Sequence, residues 1–292
     1  MLVDTSNINE KILSDKAALN EAVLQNKELT DEIARLNSEM EKLKKQYTGA
    51  STDEERQQIR QAVKQNDENF VAAQLNEQGV ALYSQNRYSE AITTFTKAIS
   101  KNPDYAYAYN NRGNAHINMQ NYNKAIEDYT QAISCDNNYA YAYHNRGVVY
   151  NKLHEYNKAI SDFNQAIALD SNYVTAYISR GYCYGQMKEY QKAIADFNLA
   201  VTLNDKIAAA YVGRGFAYCG IENYEIAITD FNKAIALDPF NADAFYGRGN
   251  AYTNLQHYQE ALRDYKKALS INPNLKSAQE NIDMLQKANI QF

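Results

Sequence analysis

The chain has 292 residues, 45% of them hydrophobic, so one large domain or two smaller ones can bury a sizeable core. Only three Pro and 11 Gly occur, which favours helices joined by short, regular turns. The net charge is −5 and the pI is about 5.5. This balance argues against nucleic-acid binding, because nucleic-acid binders usually carry a basic stripe.

The three cysteines, Cys135, Cys183 and Cys219, show no paired spacing. An odd number fits reduced, buried thiols in a reducing compartment. The N-terminus lacks a basic stretch followed by an apolar run, so it does not read as a secretory signal. No stretch approaches 18 apolar residues, so no membrane span is predicted. We therefore expect a cytoplasmic protein, or a secreted or periplasmic one if a signal has been removed.

The first predicted element is a charged helix over residues 1–48. A heptad register over residues 7–47 places apolar side chains at both core positions, although Asp15 and Ala22 weaken it early. Asn26 occupies a core position where one buried amide favours parallel pairing of two copies. The alternatives are a solvated helix folded back on its neighbour, or binding to a different partner. The residues expected to mediate self-association are Ile12, Leu19, Asn26, Leu29, Ile33, Leu36, Met40 and Leu43.

Residues 49–71 are predicted to form a linker and a short helix. Gly49 and the two residues after it break the coiled-coil helix. Thr52 and Glu55 have the spacing of a capping box. This predicts a second helix that runs to about Gln65 and leads into the next element.

Six repeats with a period of 34 residues occupy residues 72–273. Each unit has two apolar patterns at helical period, separated by a short polar stretch, which predicts a helix-turn-helix pair. Each also has a Gly, an Ala twelve residues later and an aromatic residue four further on. The small residues allow the helices to approach closely, and the aromatic rings fill the adjacent holes. The repeated glycines are Gly79, Gly113, Gly147, Gly181, Gly215 and Gly249.

Residues 274–292 follow the last repeat and predict a C-terminal capping helix. Ala278, Ile282 and Leu285 lie on one helical face, with polar residues elsewhere. Because a single helix pair cannot bury its apolar face alone, the six pairs are expected to stack, and this helix covers the last one.

The 34-residue pattern resembles the tetratricopeptide repeat over residues 72–273. The resemblance implies an all-α, right-handed superhelix, an α-α solenoid of six helix-turn-helix repeats plus the capping helix, preceded by the coiled-coil helix. Two departures stand out. The usual Leu before the glycine is Arg in five repeats, and the Pro after the second helix is replaced by Asn137, Ser171 and Asp205 in the middle repeats.

The Arg before the glycine has a matching Asp 16 residues later. The first repeat has Gln78 and Thr94 instead, so it lacks both members together. This comparison predicts a structural Arg–Asp pair across the two helices of each unit. The expected pairs are Arg112–Asp128, Arg146–Asp162, Arg180–Asp196, Arg214–Asp230 and Arg248–Asp264.

The resemblance also implies a concave groove, lined by the first helices, for an extended peptide or a partner helix. Its first part is rich in amides, which bind peptide backbone, and its second part is apolar and aromatic, suited to side-chain anchors. Some of these residues are alternatively expected only to pack against adjacent repeats. The expected groove residues are Asn76, Tyr107, Asn110, Asn111, Asn114, Tyr141, His144, Asn145, Ile178, Tyr182, Val212, Phe216, Tyr246 and Asn250.

These features predict an adaptor that holds a partner protein and has no enzymatic activity or cofactor. The four His make no metal pattern, and no phosphate-binding loop is present. The alternatives are a permanent structural subunit of a larger assembly and a solenoid that binds RNA. The family's clamp for chaperone-tail carboxylates needs basic residues, which are missing at the matching positions, so no such tail is expected to bind. Those positions are Asn110, Asn114, Asn145, Thr175 and Ser179.

Overall fold

A computed structural model describes residue 27 and residues 30–287 of the chain, and all regular secondary structure in these residues is helical. Helix α1 covers residues 30–49. The others are α2 (Asp53–Ser84), α3 (Tyr88–Lys101), α4 (Ala106–Asn118), α5 (Tyr122–Cys135), α6 (Ala140–Lys152), α7 (Tyr156–Leu169), α8 (Val174–Gln186), α9 (Tyr190–Leu203), α10 (Ala208–Gly220), α11 (Tyr224–Leu237), α12 (Ala242–Asn254), α13 (Tyr258–Ile271) and α14 (Lys276–Lys287). This order confirms the all-α fold class, in which helix-turn-helix pairs follow one another.

The described residues divide into two compact units, one that ends at Leu153 and one that begins at His154. We call them the first and the second unit. Each unit stacks helix pairs in chain order, and its core lies between the paired helices.

The turn inside each helix pair has the same backbone conformation in every repeat. A non-glycine residue with φ near +60° stands two positions before the Tyr that begins the second helix. In the second repeat, the amide of Gln120 donates to the Ile117 carbonyl and that of Asn121 donates to the His116 carbonyl, each at 2.8 Å. These two bonds close the first helix in the manner of a Schellman motif. The residues with positive φ are Asn86, Gln120, His154, Lys188, Glu222 and Gln256.

The second helix of every repeat ends on an Asn or Asp side chain. Its oxygen accepts a hydrogen bond from the backbone amide two residues later, as in an Asx turn. Repeats with Pro and repeats without it share this ending. The repeats with Asn137, Ser171 and Asp205 at the proline position therefore end their second helices on a polar turn residue, which is the residue before each of them. These residues are Asn102, Asp136, Asp170, Asn204, Asp238 and Asn272.

Helix α2 contains the predicted capping box but is much longer than expected. The Thr52 hydroxyl accepts from the amide of Glu55, and the Glu55 carboxylate accepts from the amide of Thr52. The expected end near Gln65 was wrong. The 32-residue helix continues to Ser84 and includes the first helix of the first repeat, because no Gly or Pro interrupts it before the repeat begins.

The repeated glycines lie where an aromatic ring of the second helix approaches the first helix. A Cβ atom on Gly215 would lie 2.8 Å from the Phe231 ring, and one on Gly113 would lie 2.7 Å from the Tyr129 ring. Both rings are almost fully buried. A larger residue would push the ring away, so the predicted close approach at glycine is confirmed at these positions.

Four of the predicted Arg–Asp pairs lie within one unit, and all four are present. Nε and Nη2 of Arg180 donate to the two oxygens of Asp196 at 2.8 and 2.6 Å. Each of these arginines also donates through Nη1 to a Thr or Asn on the second helix of the preceding repeat; for Arg180 this residue is Asn164, at 2.6 Å. This contact was not predicted from the sequence. The sequence pattern that indicates this contact is another series with a period of 34 residues: Thr96, Thr130, Asn164, Asn198 and Asn232.

Candidate functional site

Eight of the expected groove residues belong to the first unit, on α2, α4 and α6. Their amide side chains are paired between successive first helices. Nδ2 of Asn111 donates to Oδ1 of Asn76 at 3.0 Å, and Nδ2 of Asn145 donates to Oδ1 of Asn110 at 3.1 Å. Asn76, Asn110 and Asn111 are buried, whereas Asn145 is half-buried. The pairing therefore holds successive helices together and leaves Asn145 at the surface.

A row of tyrosine rings runs beside these amides. Tyr105 contacts Tyr107, Tyr107 contacts Tyr139, and Tyr139 contacts Tyr141, with ring centroids 5.8, 5.0 and 6.1 Å apart. Tyr105 and Tyr139 are buried, whereas Tyr107 and Tyr141 are half-buried. The exposed parts of Tyr107 and Tyr141 thus lie at the same position of the second and third repeats, on a fixed aromatic support.

The first-unit groove residues carry no charge at neutral pH. His144 is buried, and this burial lowers its imidazole pKa from 6.5 to about 4. Asn114 is half-buried, and its Oδ1 accepts a 2.6 Å hydrogen bond from the Tyr129 hydroxyl. The accessible members are therefore Tyr107, Asn114, Tyr141 and Asn145, which we call the amide–tyrosine surface. Such a surface offers donors, acceptors and ring faces to an uncharged ligand.

The six expected groove residues of the second unit are mostly packed. Ile178, Val212 and Tyr246 are buried in apolar clusters. Tyr182 and Phe216 are half-buried, and their rings lie edge to face with the rings of the next helix. These residues contribute chiefly to the packing of successive helices.

Asn250 is the last expected groove residue, and it contacts the C-terminal helix. Its Oδ1 accepts from the Tyr265 hydroxyl at 2.9 Å and from Nδ2 of Asn281 at 3.0 Å. Asn281 lies on α14, which places the expected capping helix against the last repeat. The sequence pattern indicated only the apolar face of α14, so this polar contact was not predicted.

Asp243 is a notable residue that was not predicted from the sequence. It lies in the first turn of α12 and is only 6% exposed, and burial raises the pKa of its carboxyl from 3.8 to about 7. The signal was available, because Asp243 stands at the same repeat position as Tyr107 and Tyr141. Acidic side chains rarely occur fully buried, so this carboxyl is unusual among the packed residues of the second unit.

Two of the predicted pairing residues of α1, Ile33 and Leu36, pack against helices of the same chain. Leu36 is 2% exposed and packs in a cluster with residues of α2, α3 and α4, and Ile33 packs against that cluster. Met40 and Leu43 are half-buried. This is the folded-back arrangement that the sequence left open as an alternative. The other four predicted pairing residues, Ile12, Leu19, Asn26 and Leu29, lie outside the described residues.

Metal binding and membrane insertion find no support within residues 30–287. No group of three or more His, Cys, Asp and Glu side chains is arranged there to hold a metal ion. No helix in that range has the length and apolar character needed to cross a membrane.

Sequence-family comparison identifies the repeats. A tetratricopeptide-repeat model matches residues 106–139, 140–173, 174–206 and 242–275, and a second model of the same repeat matches residues 79–120 and 221–256. Together the matched ranges extend over more than half of the chain. No curated protein matches the sequence.

Solved structures show the same fold. YrrB, described as a tetratricopeptide-repeat protein with an unusual peptide-binding site, is 27% identical with a TM-score of 0.52 over 64% of this chain and 96% of that one. A repeat protein from Parabacteroides merdae is 20% identical with a TM-score of 0.58, over 91% and 98% of the two chains. The match to the APC/C hetero-tetramer Cut9–Hcn1 has 22% identity and a TM-score of 0.66 over 73% of this chain. This chain spans only 42% of the matched Cut9–Hcn1 chain.

Proposed function

Because this chain belongs to the tetratricopeptide-repeat family, we propose that it is a non-enzymatic adaptor that binds an extended peptide of a partner protein on the amide–tyrosine surface. The observation that carries the proposal is the recurrence of Tyr107 and Tyr141 at the same position of successive first helices, with Asn114 and Asn145 accessible on the same two helices. Half-buried tyrosines provide large contact areas at low entropic cost, and amides match the donors and acceptors of peptide backbone.

The uncharged character of this surface defines the ligand further. His144 is neutral above pH 5, since burial holds its imidazole pKa near 4. With no fixed charge among the first-unit groove residues, backbone hydrogen bonds and apolar side chains supply the affinity. The proposed ligand is therefore an extended segment with few charges. The peptide-binding site described for YrrB supports peptide binding as a use of this fold.

The test is selection of peptides from a random display library on the full-length protein. Peptides that bind are expected to lose about tenfold or more in affinity towards a Tyr107→Ala/Tyr141→Ala variant, because two aromatic anchors are removed. The matched control is Lys124→Ala/Glu127→Ala, which changes two residues on α5 and is expected to bind as the wild type does. Peptides that bind the tyrosine variant as tightly as the control, or a failure to select any, would contradict the proposal.

Self-association through the heptad register stays a prediction. For residues 33–43 to pair with a second copy, Leu36 must leave the cluster in which it is buried. Light scattering on the full-length protein tests this directly. A dimer that Leu36→Asp abolishes would support pairing through this register, and a monomer would contradict it.

A further inference from the structure

Helix α1 is attached to the first unit at the end of the tyrosine row. The Tyr105 hydroxyl donates to Oε2 of Glu32 at 3.1 Å, and Leu36 packs in one cluster with Tyr105 and Ala108. Tyr107, a member of the amide–tyrosine surface, packs against the same cluster. Helix α1 therefore covers the Tyr105 end of the tyrosine row.

The attachment of α1 is small compared with that of the repeat helices. Leu36 is the one buried side chain among residues 30–49, whereas α3 buries Ala91, Phe95 and Ala98. Few buried apolar contacts mark an element that opens at low free energy. Helix α1 is thus the described helix that detaches most easily while the repeats stay folded.

Polar contacts fix the register of α1 on α2. Nδ2 of Asn66 donates to the Leu36 carbonyl at 3.0 Å, and Asn66 is itself buried. Farther along, Nη2 of Arg60 donates to the Tyr47 hydroxyl at 2.8 Å, and its guanidinium lies over the Tyr47 ring. A docking site thus exists for a helix that carries Glu, Ile and Leu at the spacing of Glu32, Ile33 and Leu36.

We propose that α1 is a tethered competitor, a helix that occupies this docking site until a partner helix with the same Glu-Ile-x-x-Leu register replaces it. The proposal rests on the proposed function, because this docking site adjoins Tyr107, a member of the amide–tyrosine surface that binds the partner. A tether of a few residues holds α1 at an effective concentration in the millimolar range. A partner helix displaces α1 only if it binds tightly enough to compete with α1 at this effective concentration. Helix α1 therefore sets a minimum affinity for the partner.

The test uses a labelled synthetic peptide of residues 27–49 as the partner helix and fluorescence anisotropy on the full-length protein. The peptide is expected to bind a Leu36→Asp variant, whose own α1 is released, at least about tenfold more tightly than it binds the wild type. Ser38→Asp changes an exposed residue of the same helix and is expected to behave as the wild type. A peptide that itself carries Leu36→Asp is expected to bind neither protein.

Equal binding to the wild type and the Leu36→Asp variant, or binding to neither, would overturn the proposal. If Leu36→Asp lowers the helical circular dichroism of the repeats, Glu32→Ala/Ile33→Ala takes its place with the same expected results. A dimeric wild type that exchanges α1 between copies would also overturn it, because the occupant would then be a second copy. If display-selected peptides still require Tyr107 and Tyr141 while the helix peptide fails, the proposed function stands and this inference alone falls.

Discussion

The substitution Asp196→Ala tests whether the Arg–Asp series stabilises the scaffold. Asp196 is 4% exposed, and the Arg180 side chain is 17% exposed. Without the carboxylate, the guanidinium keeps its bond to Asn164 and its stacking on Tyr177 but loses both short bonds to Asp196. The variant therefore keeps a largely buried and only partly satisfied positive charge.

The magnitude follows from this partial burial. Breaking a fully buried pair costs about 3–5 kcal/mol, and a hydrogen bond to a charged group contributes about 1.5–3 kcal/mol. Because Arg180 retains Asn164 and some solvent, we expect about 2–3 kcal/mol for Asp196→Ala. Replacing both members, as Arg180→Met/Asp196→Leu, removes the charges together and is expected to cost only about 0–1 kcal/mol.

Thermal unfolding monitored by circular dichroism measures the difference. At about 2–4 °C per kcal/mol, Asp196→Ala should lower the Tm by about 5–10 °C, and the double variant much less. Hydrogen exchange on α8 and α9 checks that the loss is local, because repeat arrays need not unfold in one step. Glu90→Ala, which removes the exposed partner of Arg87, serves as the control and should leave the Tm unchanged. Equal Tm values for Asp196→Ala and the double variant would refute the reasoning.

Two further predictions concern single sites in the second unit. Gly215→Ala should lower the free energy of unfolding by about 1–3 kcal/mol, since its Cβ would meet the Phe231 ring. Gly185→Ala in α8 should raise it by about 0.5–1 kcal/mol, because a Cβ there would meet open space. Urea unfolding compares the two variants, and changes of the same sign would contradict this account. Asp243→Asn should raise the Tm at pH 8 but not at pH 4. The raised pKa means that the folded protein binds this proton more tightly than the unfolded chain, so wild-type stability falls as pH rises from about 4 to about 7. A Tm difference between Asp243→Asn and the wild type that does not change with pH would show that the carboxyl titrates normally.

The scaffold was predictable because its requirements recur in five or six repeats of one chain. Each repeat has its own glycine and its own aromatic ring, such as Gly215 and Phe231. The 34-residue spacing of both residue types therefore indicates the contact between them. The Arg–Asp pairs were predictable for the same reason, since Gln78 and Thr94 depart together. The third member, Asn164 for Arg180, belongs to the preceding repeat and is found only when the series is compared across repeats.

The ends of the chain were harder to predict because they do not repeat. A heptad register over α1 fits a partner helix in another copy as well as one in the same chain, since both bury Leu36 in the same manner. The length of α2 was missed because the capping box at Thr52 marks where a helix begins, whereas the first repeat continues that helix without a break. The repeat position of Asp243 was visible in the sequence, but its burial was not, because burial depends on how closely neighbouring helices pack.

Variation among the repeats of one chain separates scaffold from binding surface. The glycine position is Gly in all six repeats because the ring opposite leaves no space. The position of Tyr107 and Tyr141 instead holds Thr175, Ala209 and Asp243 in the following repeats. Residues of such different size and polarity at one position show that the repeat fold does not require tyrosine there. Tyrosine occupies this position only in the second and third repeats, since the first repeat has Ala73 there. A peptide on the amide–tyrosine surface therefore has a defined location. The Tyr107→Ala/Tyr141→Ala variant should weaken its binding even if every residue of the second unit is unchanged.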